Sequence, residues 1–158
     1  MTDASAALWK KLNLKDGLRV AVVDTYGAMA EHVAALDAAH AATNAPKADT
    51  GFFLALATTL AEVEAHARAA SGLGGDDPVV WVAYPKGTSK RHRCEFNRDT
   101  GWGAMGEAGF EPVRQVAIDD DWSALRFRRV KNIKTMTRAF AMTAEGQEKA
   151  AKGRGKKG

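Results

Sequence analysis

Six side chains able to grip an anion lie within eight residues: Lys86, Thr88, Ser89, Lys90, Arg91 and Arg93, in the loop KGTSKRHR that follows the apolar run VVWVAYP. Four cations and two hydroxyls suit a phosphate or a carboxylate, because charge-assisted N–H donors hold oxyanions more strongly than neutral ones. The loop is no Walker cradle, since GxxxxGK[ST] is absent. His92 stands among these cations in a segment expected to leave its ring unoriented, which makes it a poor general base.

A second set of chemical groups is the triplet Asp119-Asp120-Asp121. Consecutive residues of an extended chain point to opposite sides, and no downstream acid completes an EF-hand loop, so the triplet reads as a hairpin turn and no metal site is expected. One of its carboxylates should accept backbone N–H bonds or pair with Arg126 or Arg128. Ser123 lacks a nucleophile elbow. Trp122 is expected to cover the core, and Trp81 and Trp102 to pack inside it.

The elements that must position these groups alternate. Ser5 to Leu12 carries Leu8, Trp9 and Leu12 at helical spacing. LRVAVVD reads as a strand, with Asp24 or Thr25 capping a helix through Met29, Val33 and Leu36 that continues to about Ala42. GFFLALA and VVWVAY are apolar at every position, as parallel strands buried on both faces are. TTLAEVEAHARAA between them is a helix with Leu60, Val63 and Ala67 inward and Glu62, Glu64 and Arg68 toward solvent; SGLGGDDP stops it. A helix from about Asp99 to Ala108 leads to EPVRQVAID, a tight turn and SALRFRR, whose Pro112 and alternating arginines suggest sheet margins.

This order predicts an α/β fold: a mostly parallel five-stranded sheet with a final antiparallel strand. Three strands stepping in one direction would place their linking helices on one face. The other face then needs the Trp9 helix, the segment IKTMTRAFAM or a second copy of the chain as cover.

The chain is long enough for one domain with a self-sufficient core, expected over residues 1–142, with a basic tail over 143–158. Cys94 is the lone thiol, which excludes an internal disulfide and a cysteine-built zinc site and suits a reducing cytoplasm. Neither a signal peptide nor a membrane-spanning run is legible, so a cytoplasmic location is expected. The formal charge of +4 comes from the end of the chain: the last ten residues hold five basic groups, and the rest balances 18 basic against 19 acidic side chains. Within that body, Arg126 to Arg138 contains six basic residues and no acid.

The phrases KLNLKDGLRVAVV, WVAYPKGTSK, FNRDTGW and AIDDDWSALRFR, over about residues 8 to 138, resemble the bacterial family catalogued as domain of unknown function 3052. That resemblance implies no reaction. More distantly, the Gly-Gly turn, buried strand and closing antiparallel pair resemble the second half of a class I methyltransferase fold. The resemblance implies strand order 1-2-3-5-4 in a truncated version of that fold. Such folds bind a cofactor over a glycine-rich turn after the first strand. Here that turn is DTYGA, with one glycine, so no S-adenosylmethionine or dinucleotide site is expected, and no other cofactor. Gly72, Gly74 and Gly75 follow a helix rather than precede one, and read as a helix stop.

Together these features point to a non-catalytic module that binds an anionic ligand or interacts with a protein partner, including a second copy of itself. The alternative is a small enzyme using Asp24, Tyr84, Lys86 and Asp119 around the strand ends, with Trp122 beside them. Nucleic-acid contact is expected only through the tail, weak and indifferent to sequence. Deleting residues 149–158 should abolish any retardation of DNA or RNA in a gel and leave the melting temperature unchanged, because lysine and arginine on phosphate are the evident source of affinity. Sequence-selective binding that survives the deletion would contradict this.

Overall fold

A computed structural model describes residues 3–133. Residues 134–158, which hold the basic tail and all but the first residue of IKTMTRAFAM, lie outside the described residues. Helix α1 (Asp3–Lys11) precedes β1 (Val20–Val23), and α2 (Ala30–Ala34) leads to β2 (Phe52–Leu56). Then come α3 (Leu60–Ser71), β3 (Val79–Pro85), α4 (Gly103–Glu107), β4 (Phe110–Ala117) and β5 (Trp122–Arg129). The strand order is β1-β2-β3-β5-β4, as expected, with β5 antiparallel to both neighbours.

Side-chain alternation divides the sheet into two dry faces. Phe53, Ala55, Val80, Val82, Leu125 and Phe127 point to one, where Val63, Ala67 and Ala70 of α3 and Met105 of α4 cover them. Phe52, Leu54, Leu56, Trp81 and Ala124 point to the other, covered by Leu8 and Trp9 of α1, by Leu12 just after it and by Met29. The opening helix is therefore a cover of the second face. It is tied there by Trp81, whose indole Nε1 donates to the Leu12 carbonyl at 2.7 Å. Trp9 Nε1 donates to the His32 carbonyl at 3.0 Å, which joins α1 to α2.

The linking helices do not share a face. Val33 and Leu36, on and after α2, pack on the α1 side, opposite to α3. The connection from β1 to β2 first visits the outer edge of β1, where Thr43 forms a single parallel bridge with Ala21. The chain then turns back to β2 on the inner edge, so the steps run in opposite directions and the one-face expectation does not apply. For the same reason α2 is five residues long and does not extend to Ala42. Helix α4 starts at Gly103, later than the expected Asp99, because residues 97–102 form a turn. Strand β5, read as a margin, is internal; β4 is the edge. The alternating arginines fit there because Arg128 leaves the sheet to meet Asp77 at 2.6 Å.

Two further corrections fall on α3. Leu60 is 44% exposed, and Glu62 turns back from solvent to cap its own helix: Thr59 accepts from the Glu62 amide at 3.2 Å while the Glu62 carboxylate accepts from the Thr59 amide. This is the capping box that T-x-x-E encodes. Gly72 ends the helix, and Gly74 donates to the Ala48 carbonyl at 2.8 Å; a Cβ there would stand 2.9 Å from the same oxygen, so only glycine allows the approach.

Phe53 and Val82 are fully buried, one on each of two central strands. Phe53→Asp or Val82→Asp would bury an unpaired carboxylate at a cost of several kcal/mol, so either should abolish soluble expression. Wild-type yield and melting would refute their placement. His66, buried on α3, has its Nε2 at 2.8 Å from the Leu56 carbonyl. Burial lowers its pKa from 6.5, opposed by the Leu56 hydrogen bond and Glu62. The folded chain thus keeps His66 neutral where the unfolded chain protonates it. That contribution to stability is complete above about pH 6.5 and is lost as pH falls toward the lower folded value. Urea midpoints should fall less between pH 7 and 5 in His66→Gln than in the wild type.

Candidate functional site

A cavity of about 750 Å³ opens beyond the carboxyl end of β3, on the face that α3 covers. Tyr84 and Phe96 line it, and both belong to a cluster of three rings completed by the buried Trp102. Phe96 and Trp102 stand 4.8 Å apart, and Tyr84 lies 5.9 and 5.6 Å from them. The turn that brings Phe96 against Trp102 requires Gly101, at φ +89°, where an added Cβ would fall 2.4 Å from Phe96 Cβ. Trp102 Nε1 closes that turn by donating to the Asn97 and Arg98 carbonyls. This is the physical content of RDTGW.

Charge enters from two loops. Lys86 and Arg93 come from the basic loop, Arg98 from the turn, and Thr88 and Ser89 line the same space. Gln115 reaches in from β4, where its Nε2 donates to Tyr84 Oη at 3.1 Å. With that oxygen accepting from Gln115, the phenol proton is available to a ligand. Burial raises the Tyr84 pKa and Asp99 and Cys94 add to this against the nearby Arg98, so the phenol keeps its proton. Burial likewise pushes the Cys94 thiol up, with Phe96 opposing, so Cys94 is a weak nucleophile here.

The loop is pinned at both ends. The Lys86 amide donates to the Asp121 carbonyl at 2.7 Å, and Ser89 Oγ donates to Asp121 Oδ1 at 2.9 Å. At the far end the Glu95 amide donates to Thr58, and Glu95 Oε2 accepts from the Leu60 amide at 2.9 Å. His92 is therefore oriented, contrary to expectation: its ring packs 5.0 Å from Trp122 and 6.1 Å from Tyr26.

The expected residues part company here. Lys86, Thr88, Ser89, Arg93 and Tyr84 line the cavity; Lys90 and Arg91 do not, and Arg91 lies 3.8 Å from Asp121 instead. The acidic turn thus pairs with the loop rather than with Arg126 or Arg128. Asp119 accepts from the Asp121 and Trp122 amides at 2.8 Å each, and Trp122 is buried. Asp24 also turns inward to backbone, accepting from Tyr26, Gly27 and Met29 at 2.7 to 3.0 Å. Arg98 and Gln115 were missed because nothing in the sequence spacing joins them to Tyr84.

At the neighbouring strand ends Tyr26 crosses from the β1 turn to α3, donating to Glu62 Oε1 at 2.5 Å with Thr58 Oγ1 at 2.8 Å. Burial raises the Glu62 pKa, but hydrogen bonds from Tyr26, Thr58 and Thr59 together outweigh it and hold the group below its usual value. Tyr26 is raised, by burial first and by Glu62 second, so the proton stays on the phenol. This pair links the turn after β1 to the turn after β2. Among the described residues no three His, Cys, Asp or Glu side chains gather as metal ligands, and no helix is long and apolar enough to cross a membrane.

Neither a family model nor a curated protein matches the chain. Among solved structures, a SAM-dependent methyltransferase from Aquifex aeolicus superposes with a TM-score of 0.58 over 80% of this chain and 89% of that one, at 14% identity. At that identity the likeness is one of fold. The chain carries a truncated, methyltransferase-like α/β fold with strand order 1-2-3-5-4.

Proposed function

We propose that the protein is a binding module for a small ligand bearing a phosphate or carboxylate group, held beyond the carboxyl end of β3. The observation that carries this reading is the convergence of Lys86, Arg93 and Arg98 with the Tyr84 hydroxyl on one cavity. The one carboxylate among the lining residues, Glu95, already receives the Leu60 amide. A volume of about 750 Å³ suits a nucleotide-sized molecule, and an aromatic wall beside cations is the usual composition of such a pocket. Because the loop is fixed by Asp121 and Glu95, little ordering accompanies binding.

Enzymatic use of Asp24, Tyr84, Lys86 and Asp119 has less support. Asp24 and Asp119 hold backbone amides and neither lines the cavity, so no acid–base pair converges on a bound molecule. A methyltransferase reading would also have to accommodate Tyr26, which crosses the carboxyl ends of β1 and β2 to reach Glu62.

Thermal melting tests the proposal. Phosphate or a nucleotide at a hundred times its dissociation constant stabilises a fold by about 2.7 kcal/mol, which is several degrees for a chain of this size. Lys86→Ala/Arg98→Ala should lose at least half of that rise, whereas magnesium and calcium should have no effect on either protein. A rise with divalent cations alone, or a full anion response in the double variant, would overturn the assignment.

A further inference from the structure

The opposite face of the sheet carries a pair of like charges with no directly ion-paired acid among the described residues. Strands β4 and β5 pair antiparallel, and a register shift between Pro112 and Arg114 sets Arg114 directly opposite Arg126. Directly opposed side chains project to the same face with Cβ atoms about 5 Å apart, where like charges repel. Two pairs along, the same two strands oppose Glu111 to Arg128, the arrangement that a sheet favours. Alternation from Trp122 and Ala124 puts Arg126 on the α1 side, next to Trp81 of β3 in register. The β3-end cavity opens on the other face, so the arginine pair is separate from it.

Neither guanidinium has an acidic partner among the described residues, although Arg128 and Lys131 nearby take Asp77 and Asp76. Arg126 is half-buried, and its Nε is buried with no hydrogen-bond partner among the described residues. Burial first, then Arg128 and Arg114, lower the Arg126 pKa against Asp77. A buried donor left unmade is costly, and one beside a like charge is doubly so. Arg114 is exposed, as is the bulge residue Val113 at 42%, which leaves the pair open to solvent.

We propose that Arg114 and Arg126 form a receptor for one oxoanion group, phosphate or carboxylate, which lies between the two guanidiniums and satisfies Arg126 Nε. Arg126 supplies a rigid, partly desolvated fork, the geometry that planar oxoanions accept in bidentate fashion. Arg114 completes the charge from the rim.

The test uses the full-length Lys86→Ala/Arg93→Ala/Arg98→Ala protein as parent, which removes all three cations of the β3-end cavity, with chloride matching ionic strength. Adding Arg114→Gln should act with opposite signs in two conditions. Without oxoanion at low salt it should raise the melting temperature by about 2 °C, by removing repulsion between opposed charges. With inorganic phosphate or acetate, the parent should gain stability and the Arg114→Gln protein should gain none. A parental rise with phosphate alone assigns a phosphoryl group, and a rise with both assigns the oxoanion chemistry that carboxylates share. If neither anion stabilises the parent, if the response survives Arg114→Gln, or if that substitution lowers stability without oxoanion, the receptor does not exist. The reading of the β3-end cavity is judged separately, by whether the wild type responds more strongly than this parent.

Discussion

One carboxylate oxygen organises the strand ends. Glu62 Oε1 accepts from the Tyr26 hydroxyl and from the amides of Thr58 and Thr59. Those donors come from the turn after β1 and from the turn after β2. The bond to Thr59 starts α3; the bond to Tyr26 holds the first strand's exit against the second. A partly buried carboxylate is tolerable only when its lone pairs are so satisfied, and the lowered pKa records that the hydrogen bonds win over burial. With α3 fixed, Leu60 presents its amide to Glu95, and Thr58 presents its carbonyl to the same residue. The far end of the cavity loop thus inherits its position from Glu62.

The same logic explains how one glycine and three tryptophans hold the loops and covers of the sheet. Gly101 lets the chain return past Phe96, and Trp102 closes that return on two carbonyls. Trp81 fastens the opposite cover through Leu12, and Trp122 supports the ring of His92. Each indole fills core volume. Two of them also spend their N–H on a loop or helix end that would otherwise leave a carbonyl unmet.

Much of this architecture was legible in sequence because burial on both faces leaves an unmistakable pattern. FFLAL and VVWVAYP read as central strands, and the Asp-rich triplet reads as a chain reversal. The basic loop was visible for the same reason: its composition is local. What was not legible depends on partners distant in sequence. Asp24 looked like a pocket acid, but its oxygens belong to three amides within five residues. Arg98 and Gln115 meet Tyr84 only after two turns and a hairpin have formed. The T-x-x-E box was readable and would have removed Glu62 from the solvent face. The opposition of Arg114 and Arg126 hangs on a register shift at Val113, which alternation alone does not reveal.

The hairpin of β4 and β5 also bears on how the chain reaches this state. Its strands close through the Asp119 turn, where Ile118 donates to the Trp122 carbonyl, so Ala117 already faces Ser123. The parallel pairs must instead bring Val20 to Phe52 and Phe52 to Val79. Loop-closure entropy grows with the length closed, which makes the hairpin the least demanding pairing in the sheet. Since β5 lies between β3 and β4, the edge strand has no neighbour except its hairpin partner. It belongs to the sheet only through that hairpin, whose turn is held by the two amides that Asp119 gathers.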